Sequence, residues 1–176
     1  LAEILGYING LYTVYTNIFI YDEDGVILAV SNPEEKRFLN TRLTSMSDVN
    51  RCMHLQDTQA YVVSNFQQTE LYDDKHTYLY HAAIKEWGNM DQNVGGIGLV
   101  FDSTPEFEAM LNETQPKYLN QTINESTFSA FVDRSGMVIS SSSDKVKVGS
   151  QLELPNKVLN AENGENEAIA LSLIHI

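Results

Sequence analysis

Two tyrosines, Tyr78 and Tyr80, stand two residues apart in the stretch HTYLYHAAIKE, which we interpret as a β-strand. Side chains two apart on a strand point to the same face, so both phenols face one way. On a pocket wall they would supply flat apolar contact and hydroxyl groups for hydrogen bonds to a ligand. In a core they would pack with their hydroxyls reaching the surface. The sequence leaves both interpretations open.

One carboxylate, Asp102, follows the apolar run VGGIGLVF and precedes a predicted helix. At that position a carboxylate could bind the amine of a ligand. It could also interact with the helix N-terminus, where negative charge is stabilised. Both roles are compatible with the sequence.

Other chemistries lack the residues that they need. His76 and His81 are five residues apart on a strand and therefore face opposite sides, and no third ligand accompanies them. The DEDG stretch is too short for a calcium loop, and neither a phosphate loop nor a nucleophile elbow occurs. We therefore predict no metal, no cofactor and no enzymatic activity.

Composition restricts the partners. The 176 residues carry a formal charge of −13 and 43% hydrophobic residues, so the chain should fold. This charge argues against nucleic acids and anionic membrane surfaces, since both are bound through Lys and Arg. Cys52 is the only cysteine, which excludes an internal disulfide. Because the chain opens on Leu1 rather than Met, we interpret it as a piece of a longer protein.

The order of elements predicts an α+β fold. Leu1–Tyr15 has helical spacing of apolar residues, and a hairpin follows with strands at 18–21 and 26–30. A helix is predicted from Ser47 or Asp48, then two strands joined by the loop WGNMDQN, then a helix capped by Thr104. Antiparallel pairs with helices between them predict helices packed against one sheet.

The first hairpin has a second copy. YDEDGVILAV (21–30) and VDRSGMVISS (132–141) align when Gly25 is placed on Gly136, which also aligns Asp22 with Asp133. Asp favours such turns by accepting local backbone hydrogen bonds, and Gly supplies a positive φ. Beyond this copy the sequence offers only PNKVLNA and the strand candidate ENEAIALSL. We therefore predict a first lobe over 1–114, a connector over 115–127 and a truncated second lobe over 128–176.

Four stretches occur in the order NIFIYDEDGVILAVSN, YVVSNF, TYLYHAAI and GGIGLVFDSTPEFEAML. Together with the second hairpin, they resemble the double Cache domain, a PAS-like extracytoplasmic sensor of bacterial receptors. The resemblance covers roughly Tyr15 to Leu154. It implies a distal lobe that binds a small molecule and a membrane-proximal lobe that relays the change in a membrane-anchored receptor of the chemotaxis, kinase or cyclase type.

The resemblance also implies site residues. Tyr61, Ser64 and Asn65 stand where the family has a Tyr-x-x-Ser-Asp loop that reaches over the sheet, with Asn65 replacing the usual Asp. Loop-internal hydrogen bonds are the alternative role of these three. The pattern of the amino-acid-binding members is incomplete here, since Arg51 lacks a following Trp-Tyr pair. The predicted ligand-binding residues are Tyr61, Ser64, Asn65, Tyr78, Tyr80 and Asp102.

Three classes of function remain after these exclusions. The leading prediction is a periplasmic or extracellular small-molecule sensor domain, in which homodimerisation is left open. The second is a spacer or dimerisation module of a receptor that binds no ligand. The third, which lacks a catalytic constellation, is a small enzyme using Asp102 or His81 in a pocket.

Overall fold

The computed structural model describes residues 1–114, 128–133 and 135–154, which fall into two compact units that meet in sequence at Ser103 and Thr104. The predicted connector 115–127, PNKVLNA and ENEAIALSL lie outside the described residues. The helices and strands are α1 (Ala2–Leu11), β1 (Tyr15–Asp22), β2 (Ile27–Val30), α2 (Met46–Met53), β3 (Val62–Val63), β4 (Gln67–Thr69), β5 (Lys75–Thr77), β6 (Leu79–Glu86), β7 (Asn89–Phe101), α3 (Ser103–Thr114), β8 (Ala130–Val132) and β9 (Val138–Ser141). Short 3₁₀ helices occupy Pro33–Phe38 and Glu70–Tyr72.

The first unit is built on a five-stranded antiparallel sheet in the order β2-β1-β7-β6-β3. The hairpins β1–β2 and β6–β7 join in the middle, where β7 lies between β1 and β6. Helices and 3₁₀ turns cover the sheet. The predicted α+β, PAS-like fold is confirmed.

The sheet has two apolar faces. On one face α1 packs Leu5 against Ile18 and Ala29. The other face carries the larger cluster, which is covered by α2 and by the two 3₁₀ helices and includes Phe19, Tyr21, Ile27, Val30, Phe38, Leu43, Val49, Cys52, Val62, Leu71, Tyr72, Leu79 and Val100. We call the first the α1 face and the second the α2 face.

Two glycines of the central strand β7 make room for aromatic rings on the α2 face. Gly98 is paired with Phe19 and Gly96 with Tyr21. A Cβ atom at either glycine would overlap the ring of its partner. The sequence GGIG therefore lets two large rings of β1 lie across β7 towards β6.

The first hairpin turns through Asp22 and Gly25, as predicted. The Asp22 carboxylate accepts hydrogen bonds from the backbone N–H of Asp24 (3.0 Å) and of Val26 (2.9 Å). Gly25 has φ of 77°, a value that L side chains adopt rarely. The turn is held by one side chain and permitted by one glycine.

The second unit repeats this turn in β8–β9. The Asp133 carboxylate accepts from the backbone N–H of Ser135 (2.8 Å) and of Met137 (3.0 Å), and Gly136 has φ of 87°. Burial raises the pKa of Asp133, but the hydrogen bond from the Ser135 hydroxyl (2.6 Å) and these backbone bonds outweigh it and lower the pKa below its usual value. The predicted repeat of the Asp-x-x-Gly hairpin is confirmed.

Element boundaries differ from prediction at several places. Helix α1 ends at Leu11, and Tyr15, which the spacing of apolar residues assigned to that helix, begins β1. The β6–β7 hairpin turns at Trp87 and Gly88 alone, because φ of 84° at Gly88 permits a tight turn, so most of the predicted loop belongs to β7. Helix α2 is preceded by Ser45 rather than capped at Ser47 or Asp48. Helix α3 starts at Ser103, so Thr104 is inside it and is not its cap.

Candidate functional site

A cleft opens on the α2 face of the first unit. Its floor is formed by β2 and β6, and its walls are the segment that follows the first 3₁₀ helix and the segment that runs from β4 into the second. The residues that line it are Ile27, Phe38, Thr41, Arg42, Leu43, Thr44, Ser45, Gln67, Gln68, Thr69, Glu70, Leu71, Leu79 and His81. The centre of a water molecule could reach about 20 Å³ of this space, enough for about one ordered water.

His81 is the one histidine that lines the cleft, and it is 1% exposed. Its Nδ1 atom lies 3.1 Å from the hydroxyl of Tyr21. Its Nε2 atom is buried and has no hydrogen-bond partner among the described residues. Buried polar atoms are paired with protein or ordered water in almost all proteins, so this nitrogen on the floor of the cleft has an unmet need for a partner, which a water or a ligand group can fill.

The side chains around His81 fix the plane of its ring. Phe19 and Tyr21 meet the imidazole edge-on, with ring centroids 6.1 Å and 5.6 Å from it. Both rings reach His81 over glycines of β7: Gly98 is paired with Phe19 on one side and with His81 on the other, and Gly96 is paired with Tyr21. The glycine pattern of β7 therefore positions the histidine.

His81 is neutral at pH 7. Its burial lowers the pKa to about 4. The carboxylate of Asp48 raises this pKa and the guanidinium of Arg51 lowers it, each by less than burial does. Those two charges pair with each other at 3.1 Å. A neutral imidazole carries one proton, so its free nitrogen is either one donor or one acceptor.

Polar groups and one charge of each sign line the walls. Arg42 forms an exposed pair with Asp24 at 3.3 Å, a contact that water and salt weaken. Glu70 is exposed on the other wall. The Thr69 hydroxyl is already used, because it accepts from the backbone N–H of Leu71 at 3.3 Å. The cleft thus joins a floor that is apolar apart from His81 to a polar rim.

The predicted tyrosines lie on the opposite face of the sheet. Tyr78 and Tyr80 alternate along the chain with Leu79 and His81, so they point to the α1 face, as does Leu99, the β7 partner of Tyr80. Tyr80 meets the ring of Tyr61 at 6.2 Å. The ring of Tyr78 meets that of Phe66 at 5.0 Å.

Ser64 and Asn65 do not line the cleft. The buried Ser64 hydroxyl donates to the Asn65 carbonyl (2.9 Å) and accepts from the backbone N–H of Leu79 (2.8 Å). These bonds fasten the short strand β3 beside β6. The Asn65 residue itself is exposed.

Asp102 is engaged by a tyrosine. The Tyr72 hydroxyl donates to its carboxylate at 2.6 Å, immediately before the first residue of α3. The six predicted residues are therefore spread over several places in the first unit. Tyr61 and Tyr80 are brought together, and none of the six is among the residues that line the cleft.

His76 is separate from His81 and belongs to another strand. It lies on β5, where its ring meets that of Phe66 at 5.6 Å. Among the described residues, no three His, Cys, Asp or Glu side chains are grouped so that they could hold a metal ion. The part of the chain that the structure describes also contains no helix with the length and apolarity that crossing a bilayer requires.

Comparisons with known proteins identify the fold. No family model and no curated protein sequence matches the chain. The solved structures that resemble it include an extracellular ligand-binding receptor from Desulfohalobium retbaense, with a TM-score of 0.66 and 11% identity over 90% of this chain and 26% of that one. The sensor domain of the V. cholerae histidine kinase DctB has a TM-score of 0.59 and 16% identity over 90% of this chain and 54% of that one.

A third similar structure is the periplasmic domain of RsbU from Chlamydia trachomatis, with a TM-score of 0.51 and 12% identity over 84% of this chain and 48% of that one. The present chain spans about a quarter to a half of the length of these three structures. They are an extracellular ligand-binding receptor, the sensor domain of a histidine kinase and a periplasmic domain. The predicted resemblance to extracytoplasmic PAS-like sensors is confirmed at the level of the fold.

Proposed function

We propose that this chain is the extracytoplasmic sensor part of a bacterial membrane-anchored receptor, and that its first unit binds a small molecule in the cleft above His81. The observation that carries the proposal is the unpaired, buried Nε2 atom of His81, a residue of the cleft floor. The sensor fold of the similar structures supports it.

The size of the cleft limits how a ligand enters. About 20 Å³ holds a single water, so a metabolite requires the walls to separate. One wall is an irregular segment, and the other is the short strand β4 running into the second 3₁₀ helix, whereas the floor belongs to the five-stranded sheet. Loops and short segments open at lower free energy than sheet strands do. Wall opening would then be the conformational change that a receptor relays.

A thermal-shift screen against organic acids, amino acids, amines and purines tests this proposal. A ligand present at 100 times its dissociation constant stabilises the folded protein by about 2.7 kcal/mol. We expect His81→Leu to lose the shift, whereas Tyr80→Ala, which alters the opposite face of the same strand, keeps it. A ligand whose shift survives in His81→Leu and disappears in Tyr80→Ala would place the site at the tyrosines and contradict the cleft.

The tyrosines remain a second proposed ligand surface. Tyr61 is 63% exposed and meets the half-buried Tyr80, so an incoming flat molecule would find a phenol edge there. The same pair of variants decides between the two surfaces. As a control, the stability of Tyr80→Ala is measured without ligand, and a value equal to that of the wild type shows that its fold is intact.

A spacer or dimerisation role is the second candidate function, and one observation favours it. Leu1, Ile4, Ile8 and Leu11 are spaced by three and four residues along the beginning of the chain and are exposed. This spacing is that of a coiled-coil seam. Sedimentation of the protein and of Ile4→Lys tests it: a dimer that the substitution dissociates, with no ligand in the screen, would favour the spacer.

A further inference from the structure

Three buried side chains form a chain of contacts that ends at the cleft. Cys52, Tyr21 and His81 are 0%, 0% and 1% exposed. The Tyr21 hydroxyl is hydrogen-bonded to His81 Nδ1 at 3.1 Å, and Cys52 lies in the same buried cluster as Tyr21 and influences its pKa. None of the three has a place in the predicted site, and the two that lie behind His81 do not touch the cleft.

Each member of the chain keeps its proton at pH 7. Burial raises the pKa of the Tyr21 hydroxyl above its ordinary value, and Cys52 and Asp48 raise it further. Burial also raises the pKa of the Cys52 thiol, against a smaller lowering effect of the Tyr21 hydroxyl. The imidazole of His81 is neutral and holds a single proton. Three protons therefore have to be placed along the chain.

Two arrangements of these protons exist, and the acceptors decide between them. If His81 Nδ1 carried the proton and donated to Tyr21, the phenol proton would be left with the thiol sulfur, which is a weak acceptor. If Tyr21 donates to Nδ1, an unprotonated ring nitrogen accepts the phenol proton at 3.1 Å. The second arrangement gives the strongest donor the best acceptor.

We infer that Tyr21 holds His81 in the tautomer with its proton on Nε2, so that the floor of the cleft presents one hydrogen-bond donor and selects ligands with a carboxylate or carbonyl oxygen over amines. The selection of ligands rests on the proposed function, whereas the tautomer does not. His81 is then the ligand-contacting residue, and Tyr21 is a positioning residue.

The tautomer is measured on the free protein by ¹⁵N NMR of histidine-labelled material at pH 7, because protonated and unprotonated ring nitrogens have well-separated shifts. The His81 signals are assigned by their absence in His81→Gln. We expect a protonated Nε2 and an unprotonated Nδ1. Tyr21→Phe keeps the ring and removes the hydroxyl, so it should yield a mixture of tautomers. A proton on Nδ1 in the parent protein overturns the inference, and this outcome does not depend on how any variant behaves.

Ligand selection is measured with three probes of equal size: acetate, acetone and isopropylammonium. The first two offer an acceptor oxygen and the third offers only donors. We expect acetate and acetone to shift the His81 Nε2 signal and isopropylammonium to leave it unchanged, and comparing the first two shows whether the oxygen must be charged. An equal or larger shift with isopropylammonium overturns the selection. A His81 Nε2 signal that none of the three probes shifts also overturns the selection. If the broad screen yields no ligand either, the proposed function fails, whereas the tautomer measured on the free protein still stands.

Discussion

Asn40 and Gly149 hold equivalent positions in the two hairpin motifs of this chain. Both have positive φ, 64° and 79°. The Asn40 N–H donates to the carbonyl of Ile27 at 2.8 Å, and the Gly149 N–H donates to that of Val138 at 2.8 Å. Bridges follow in both, between Val26 and Arg42 and between Met137 and Gln151. The structural repeat therefore extends past the turn to the chain segment that returns beside it.

This equivalence predicts the effect of two substitutions at Asn40. Asn is one of the few side chains that tolerate the left-handed region, so Asn40→Ala should destabilise the first unit by about 1 kcal/mol. Asn40→Gly should be close to neutral, because Gly already serves at the equivalent position 149. Urea unfolding measures both. Equal stability of the alanine and glycine variants would contradict a backbone origin of the effect.

The turn carboxylate is the next test. Asp22→Ala removes the acceptor of two backbone N–H groups, each bond being worth about 0.5–1.5 kcal/mol. Because these N–H groups are partly open to water, we expect a loss of about 1 kcal/mol in urea unfolding. Asp22→Asn keeps the accepting oxygen and should retain most of the stability. If the asparagine variant were as unstable as the alanine variant, charge rather than hydrogen bonding would hold the turn.

The hairpins could be predicted from sequence because their cause is local. Asp22 and Gly25 act within four residues of each other, and so do Asp133 and Gly136. The equivalence of Asn40 and Gly149 could not be found in the same way. The two lie at different distances from their turns, and Asn and Gly share only their tolerance of positive φ.

A substitution in β7 tests the close approach of strand and ring. Gly98→Ala places a methyl group against the ring of Phe19, which is fully buried and cannot withdraw. Overpacking of this kind costs about 1–3 kcal/mol. Gly10→Ala is the matched control: no atom lies within 4 Å of its Cβ position, and in helix α1 it should gain about 0.5–1 kcal/mol. A harmless Gly98→Ala would mean that the Phe19 ring does not lie across β7.

The candidate site was harder to predict than the fold. Strand alternation separates Tyr78 and Tyr80 from Leu79 and His81, but it does not say which face carries the cleft. The two tyrosines were predicted as ligand-binding because of the chemistry of their phenol groups, whereas the cleft lies on the opposite face, which carries the histidine. A usable signal was present in GGIG, because small residues at alternate positions of a buried strand indicate large partners on that face. Naming Phe19, Tyr21 and His81 as those partners requires the register of three strands, which no local pattern gives.

Acid should reveal the buried histidine. The pKa of His81 is lowered by burial from 6.5 to about 4, so the unfolded chain binds a proton at that site more readily than the folded one. Stability from this group is therefore complete above pH 6.5 and is lost as the pH falls towards 4. The lowered pKa corresponds to a loss on the order of 3 kcal/mol over that interval.

Urea unfolding of the parent and of His81→Gln across pH 4 to 8 isolates this contribution. The glutamine does not titrate, and both proteins share the remaining acidic and basic groups, so the difference between their curves belongs to His81. We expect the parent to lose its advantage, or fall below the variant, as the pH drops below 6.5. Parallel curves would mean that His81 is charged as easily in the folded protein as in the unfolded chain, which a 1% exposed imidazole with an unpaired nitrogen does not allow.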